Sequence, residues 1–354
     1  MKQAAVQRIR STLALGGPLS VNWPPAVSDR LRLRAAPGLP EQVHLSVTDR
    51  CFLPCKHCDI FRNKTQDLPT GTWLSVIDEL ADWLGAGSMN FVGGEPLLRK
   101  DLEQLMSHAV RRGFSVTFNS NGWLIDDRRA ASIADAGVEI AYLALDGSRA
   151  ETVDGTRGRE GTFARTIAAM ERFEALPNPR VVVACILHAG NAHEIPELLQ
   201  MLTDRGHQLV VQPLYQPFGE NAHQPGWHYQ SDMWPRNQED LRAIDKALDL
   251  LADVRESDGP VCNAVEQIAA IRTYFRAPTV YNGLTCKAGH SDIAFDPTGA
   301  IRLCYFLEPI GNVVDETPIS RIWDRHLAQR RRWEVSRCTR QCNLLNCNFD
   351  RQDL

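Results

Sequence analysis

Between residues 42 and 215 six short β-rich runs alternate with amphipathic stretches, and this alternation is what most limits the fold. The runs are Val43–Thr48, Met89–Val92, Phe114–Asn119, Val138–Leu145, Arg180–Leu187 and Gln208–Leu214. After the first, Leu74, Ile77, Leu80, Ala81 and Leu84 form one apolar stripe at helical spacing. After the second, Asp101 reads as an N-cap and Gly113 as a stop, with Leu102, Leu105, Met106, Ala109 and Val110 facing inward. The stretch from Asn191 to Gly206 reads the same way. Strands separated by helices cannot pair as hairpins. They lie parallel, joined by right-handed crossovers. The expected class is α/β: a partial (βα)6 TIM-like barrel, two units short of closure, with ligands at the C-terminal ends of its strands.

Beyond the barrel, Pro217, Gly219, Pro225, Gly226 and Pro235 mark a linker. Helical stretches follow over Gln238–Val254 and Ala264–Arg276. The final segment has little periodicity but holds five of the ten cysteines, which suggests a small unit stapled by metal rather than by a core of its own. The expected division is an N-terminal extension (1–41), a barrel (42–215), linker and helices (216–280) and a cysteine-rich domain (281–354).

A chain that is 44% apolar can bury a sizeable core, and a net charge of −4 gives no global field for nucleic acid. No apolar run is long enough for a bilayer. Met1 to Ser28 contains no acidic residue and begins with a weakly amphipathic stretch (Val6, Ile9, Leu13). It reads as a short helix, with a transit peptide as the alternative. There is no secretory apolar region, so a cytoplasmic location is expected.

The cysteines carry the chemistry. Cys51, Cys55 and Cys58 are spaced C-x3-C-x2-C immediately after the first strand, at the barrel mouth. Three thiolates on one loop can hold three irons of a 4Fe–4S cluster and leave the fourth open. Zinc, with His57 as a fourth ligand, is the alternative, although structural zinc prefers paired spacings. Cys286 and Cys304 form a second group, and Cys338, Cys342 and Cys347 a third; Cys185 and Cys262 stand alone. After the second strand comes Gly93-Gly94-Glu95-Pro96, where two glycines allow close backbone approach.

With these two motifs the chain resembles the radical SAM superfamily over roughly residues 42 to 350. The resemblance implies that Cys51, Cys55 and Cys58 ligate a 4Fe–4S cluster whose open iron is chelated by S-adenosylmethionine (SAM). His57 then matches the position packed near adenine. Gly93, Gly94 and Glu95 match the segment receiving the methionyl amino group. Ser120 and Asn121 resemble the ribose-contacting segment, and Arg157 the arginine that pairs the SAM carboxylate, a task its planar fork suits. The pattern Cys286-x12-Gly299-x4-Cys304, followed by the last three cysteines, resembles the SPASM/twitch extension. That extension has seven cysteines for two auxiliary clusters. Five here imply one auxiliary 4Fe–4S cluster, held by Cys286, Cys304 and two of Cys338, Cys342 and Cys347, with zinc again the structural alternative.

By the same resemblance, an electron from a flavodoxin or ferredoxin would cleave SAM to a 5′-deoxyadenosyl radical. That radical would abstract hydrogen from a peptide or natural-product small molecule, for a net oxidation or C–H modification. The alternatives are an epimerase using Cys185 or Cys262 as hydrogen donor, and a non-catalytic electron-transfer or redox-sensing protein. About 40 residues before the first strand are too few for a leader-binding domain. The arginine-rich stretch from Arg321 to Arg340 reads as a solvated helix face or an anion-attracting surface.

Overall fold

Apolar, β-branched runs that bury both faces make parallel strands, and β1 (Gln42–Thr48) is buried at every position but its first. In the computed structural model, which describes residues 38–217 and 223–349, β1 pairs in parallel with β2 (Gly87–Gly93). The parallel ladder continues through β3 (Phe114–Ser120), β4 (Ile140–Ala144), β5 (Arg180–Leu187) and β6 (Gln208–Pro213). On its other edge β1 pairs in parallel with β7 (Asp292–Phe295), and β8 (Ala300–Arg302) and β9 (Gly311–Asn312) follow antiparallel. The cysteine-rich segment therefore extends the barrel sheet, whose order is β6-β5-β4-β3-β2-β1-β7-β8-β9.

The crossovers are helical. They run through α1 (Thr70–Leu84), α2 (Leu102–Arg111) and α3 (Asp127–Asp135). Between β4 and β5 lie two helices, α4 (Ala150–Arg157) and α5 (Thr162–Glu174), where one was expected. Gly158 ends α4 in the left-handed conformation. The last crossover is a 3-10 turn (Ala192–Glu194) leading into α6 (Ile195–Asp204). On α1 the buried stripe is Trp73, Val76, Ile77, Leu80 and Ala81; Leu74 and Leu84 are only half-buried on its edges. Asp101 occupies the N-cap position of α2 but makes no cap bond. Its carboxylate takes Thr70 Oγ1 (2.6 Å) and Arg99 Nη2 (2.6 Å) instead. Trp73, Phe91, Phe118 and Phe295 lie fully buried between helices and sheet. Each large apolar side chain so covered contributes about 1.5–3 kcal/mol.

Beyond β6, α7 (Gln238–Glu256) and α8 (Val265–Arg276) match the expected helices to within two residues. Gln267 of α8 donates to the Leu344 carbonyl (2.9 Å) and to Asn346 Oδ1 (3.0 Å), which moors the C-terminal cysteines beside the barrel. α9 (Ile319–Asp324) packs on α1 through Trp323 and Trp83, edge to face at 6.0 Å. In α10 (His326–Ser336) the Arg332 side chain is buried over the Trp323 ring. It donates to the Gly289 (2.7 Å) and Trp323 (2.9 Å) carbonyls, so this member of the arginine-rich stretch is a structural strut. The expected amphipathic N-terminal stretch lies outside the described residues.

Candidate active site

The loop after β1 runs extended before it turns. In an extended chain alternate side chains face opposite ways, and Cys51, Leu53, Cys55 and His57 accordingly line one large cavity. The Cys58 amide then donates to the Cys55 carbonyl (3.1 Å), a turn that brings Cys58 to the same cavity. The C-x3-C-x2-C spacing thus combines an extended step with a tight turn.

The two glycines of Gly93-Gly94 are required by what they touch. Gly93 has φ +138°, and a side chain there would strike the Thr48 carbonyl. A Cβ at Gly94 would stand 2.7 Å from the Asp49 carbonyl oxygen. Without side chains, the Gly94 amide reaches Thr48 O (2.8 Å) and the Glu95 amide reaches Arg50 O (2.8 Å), which pins the root of the cysteine loop to β2. Gly94→Ala is expected to cost about 1–3 kcal/mol through forced backbone movement. It should also lower iron incorporation, measured by metal analysis beside a urea titration.

Glu95 is fully buried and its carboxylate is occupied by the protein itself. It accepts from the Leu97 amide (3.2 Å), Ser120 Oγ (2.9 Å) and the Asn121 amide (2.9 Å). Burial raises its pKa, and the three donors oppose that shift. Ser120 spends its proton on Glu95 and accepts from the Gly122 amide (3.0 Å), which leaves it one acceptor lone pair toward the cavity. Glu95 and Ser120 therefore tie the ends of β2 and β3 together. Asn121 and both glycines stand on the cavity wall.

Arg157, at the end of α4, is buried and meets a carboxylate belonging to the protein: its Nε lies 2.6 Å from Asp146 Oδ2. Asp146, after β4, is wholly buried and also accepts from the Ile186 amide (2.9 Å). Burial works against its charge, but the Arg157 guanidinium outweighs it and holds the carboxyl below its ordinary range. The guanidinium also reaches the Cys55 thiol. A chain Asp146–Arg157–Cys55 thus links the β4 end to the cysteine loop. Sequence reasoning gave Asp146 no role; the available signal was an acid one residue past the apolar run Val138–Leu145.

All three loop thiols are raised by burial, Cys58 to about 12. Burial lowers His57 to about 3, so it is neutral, and its Nδ1 has no hydrogen-bond partner. Buried thiols of this kind become thiolates when a bound cation offsets the desolvation cost. Among the described residues no group of three or more His, Cys, Asp or Glu is arranged to hold a single metal ion. Three thiols along one cavity wall suit the wider span of a multi-iron cluster.

The cavity measures about 1000 Å³. The cysteine-rich segment, whose β7 pairs with β1, contributes Cys304 and Cys347 to the lining. Behind Cys304 the remaining thiols lie close enough to act on one another. After burial, Cys342 is raised by Cys286, Cys304 and Cys338, and Cys286, at about 12, by Cys304, Cys338 and Cys347. Cys185 lies on the cavity wall beneath Asn191 Nδ2 (3.7 Å); Cys262 is not among the lining residues, and its amide pairs with the Leu209 carbonyl (2.8 Å). Sequence reasoning missed the polar floor. His44, Asn90, Asn119, Tyr142 and Gln212 line the cavity from β1, β2, β3, β4 and β6, where such barrels are commonly filled by branched apolar side chains. Polar residues at alternate strand positions were the available signal.

With this geometry in hand, residues 45–202 match the family profile described as the radical SAM superfamily. The chain carries a radical SAM domain. The radical SAM superfamily uses a 4Fe–4S cluster and SAM. The chain is 32% identical over 167 residues to a PqqA peptide cyclase of Rhodopseudomonas palustris, covering 46% of this chain and 44% of that protein. It is also 32% identical over 165 residues to an Fe-coproporphyrin III synthase of Methanosarcina barkeri, covering 45% of this chain and 40% of that one. The chain thus spans less than half the length of these curated relatives. Among solved structures it resembles SuiB of Streptococcus suis bound to the precursor peptide SuiA, with a TM-score of 0.65 at 14% identity, covering 93% of this chain and 77% of that one. It likewise resembles anSMEcpe with bound AdoMet and a peptide, with a TM-score of 0.62 at 15% identity, covering 89% and 90%. These likenesses concern the fold. Among the described residues no helix is long and apolar enough to cross a membrane.

Proposed function

We propose that this protein is a peptide-modifying radical SAM enzyme of SPASM/twitch type, with one auxiliary 4Fe–4S cluster. The observation that carries this reading is that one cavity, of about 1000 Å³, is lined both by the loop thiols and by Cys304 and Cys347. When bound, the first cluster and SAM supply a primary carbon radical. Cys51, Cys55 and Cys58 hold the cluster, Arg157 steadies Cys55, and the Gly93-Gly94 bridge keeps the loop in place. The polar barrel floor offers hydrogen bonds to amide groups, as a peptide needs. A peptide also agrees with the names of PqqA peptide cyclase and the SuiB–SuiA complex. Held by Cys286, Cys304, Cys338 and Cys342, an auxiliary cluster would supply an acceptor for the electron that a substrate radical gives up, together with a proton, in a net oxidation. A flavodoxin or ferredoxin supplies the first electron.

For the auxiliary site we assign Cys342 with Cys286, Cys304 and Cys338, the three thiols that raise it; Cys347, which acts on Cys286, is left for the cavity that it lines. Anaerobic reconstitution should give about eight irons per chain, two cubanes. Cys347→Ala should keep that content and Cys304→Ala should fall to about four. A Cys347→Ala protein with half the iron would reverse the assignment. The functional test is dithionite-driven 5′-deoxyadenosine formation by the reconstituted protein, followed by mass analysis of candidate peptides encoded nearby. Iron without SAM cleavage would leave an electron-transfer role. Zinc in anoxically purified protein would end the reading.

One observation favours a second reaction type, epimerisation. The Cys185 thiol is buried in the wall of the same cavity, where it can return a hydrogen atom to a substrate radical. Turnover in deuterated buffer distinguishes the two. An epimerase places one deuterium on the product carbon and loses product in Cys185→Ala, whereas an oxidase does neither.

A further inference from the structure

The outer face of the cysteine loop carries its own pattern. While Cys51, Leu53 and Cys55 face the cavity, Pro54 and Lys56 are exposed and Phe52 is half-buried. The end of α4 packs alongside, with the Lys56 amide donating to the Thr156 carbonyl (3.0 Å). Trp123, from the loop after β3, meets Phe52 edge to face at 6.0 Å. Arg159 stacks 4.1 Å over the Trp123 ring and 5.3 Å from Phe52, and Arg165 of α5 stands 5.6 Å over Trp123. Both arginines are exposed. Among the described residues, Lys56, Arg159 and Arg165 form no ion pair; the nearby acids are the exposed Glu160 and Asp154, whose carboxylate accepts from the Gly161 (2.7 Å) and Phe163 (2.8 Å) amides.

We infer that this aromatic and cationic patch is the docking surface for the protein that delivers the electron, and that the carrier is acidic where it touches. Three arguments meet here. The patch is the reverse side of the loop that bears the thiols, so a carrier seated on it is separated from the cluster by the thickness of that loop. Its three cations outnumber the two acids beside them, Asp154 and Glu160, although the chain as a whole carries −4, so the local balance opposes the global one and favours a negative partner. Cation–ring stacking holds both guanidinium groups in place, which lowers the ordering cost of binding. The inference rests on the reading that Cys51, Cys55 and Cys58 hold a reducible cluster.

The test compares two reductants on the reconstituted protein, following the cluster absorbance by anaerobic stopped flow. The first is reduced flavodoxin, an acidic protein; the second is the methyl viologen radical, a small cation. Arg159→Glu combined with Arg165→Glu should slow flavodoxin reduction about tenfold at low salt, and salt should slow the unaltered protein toward the same rate. Calorimetric binding of oxidised flavodoxin should weaken in parallel, in the apoprotein as well. Methyl viologen should reduce both proteins equally fast or the variant faster. Arg180→Glu, at the start of β5 and so at the far end of the barrel, makes the same change at one residue, half that of the double variant, and should have no effect, whereas Arg159→Glu alone should still slow the reaction. An unchanged flavodoxin rate in the double variant overturns the docking surface alone. If neither reagent reduces the unaltered protein, the cluster reading falls and takes this proposal with it. Slowing with both reagents overturns docking as the cause unless Arg159→Gln with Arg165→Gln slows flavodoxin only.

Discussion

A chain carrying Cys51→Ala, reconstituted anaerobically and reduced with dithionite, should form no 5′-deoxyadenosine above a protein-free control. The reason is geometric. Cys51 is the extended end of the loop, and Cys55 and Cys58 are joined by their own turn. Removing it leaves two thiols, and the cluster loses the ligand farthest along the cavity wall. No neighbour can replace it, since the residues on either side, Arg50 and Phe52, have no metal-binding atom. Cys304→Ala should behave differently: it should retain SAM cleavage within about threefold and lose the substrate reaction, because Cys304 is assigned to a separate cluster and not to the first. Both variants should be checked for folding, because unfilled thiol sites can unravel locally. Equal cleavage by Cys51→Ala and the unaltered chain would refute the assignment of this loop.

The local features of the sequence are the ones that carried through to the structure. The expected strands match the observed ones within two residues at most ends, because each run is apolar, β-branched and bounded by turn residues. The loop thiols converge because their spacing encodes an extended step and a turn, both of which are local. Contacts between distant residues left no such trace. The pairing of β1 with β7 joins residues some 250 apart, so the cysteine-rich segment read as separate when it shares the barrel sheet. Glu95 read as a ligand for an ammonium group, yet its carboxylate is met by Ser120 and the Asn121 amide, a bond that depends on how β2 and β3 stand side by side. The α1 stripe was displaced by one residue because Leu74 and Leu84 fit helical periodicity as well as Trp73 does, and only tertiary packing chooses among them. Arg157 came from the family resemblance, which did not show its partner Asp146, in the loop after β4.

Asp146→Ala should be the most destabilising single change in the described barrel and should also strip the first cluster. Asp146 is fully buried, Arg157 nearly so, and 2.6 Å separates them. Removing the acid strands a guanidinium in a low-dielectric site, at a cost of about 3–5 kcal/mol. That is a large share of a domain's stability, about 5–15 kcal/mol. The Ile186 amide loses its acceptor as well. Arg157→Met should cost a similar amount, because it strands the carboxylate instead. The double variant Asp146→Leu with Arg157→Met should recover most of the stability, since buried pairs replaced by apolar groups are often neutral. It should not recover the cluster, because Cys55 would still lack its cationic neighbour. Urea midpoints of the apoproteins measure the first effect, and iron content after reconstitution measures the second. Additive losses in the double-mutant cycle would show that the pair is not energetically coupled. Full iron content in the double variant would show that Arg157 has no part in holding the Cys55 thiolate.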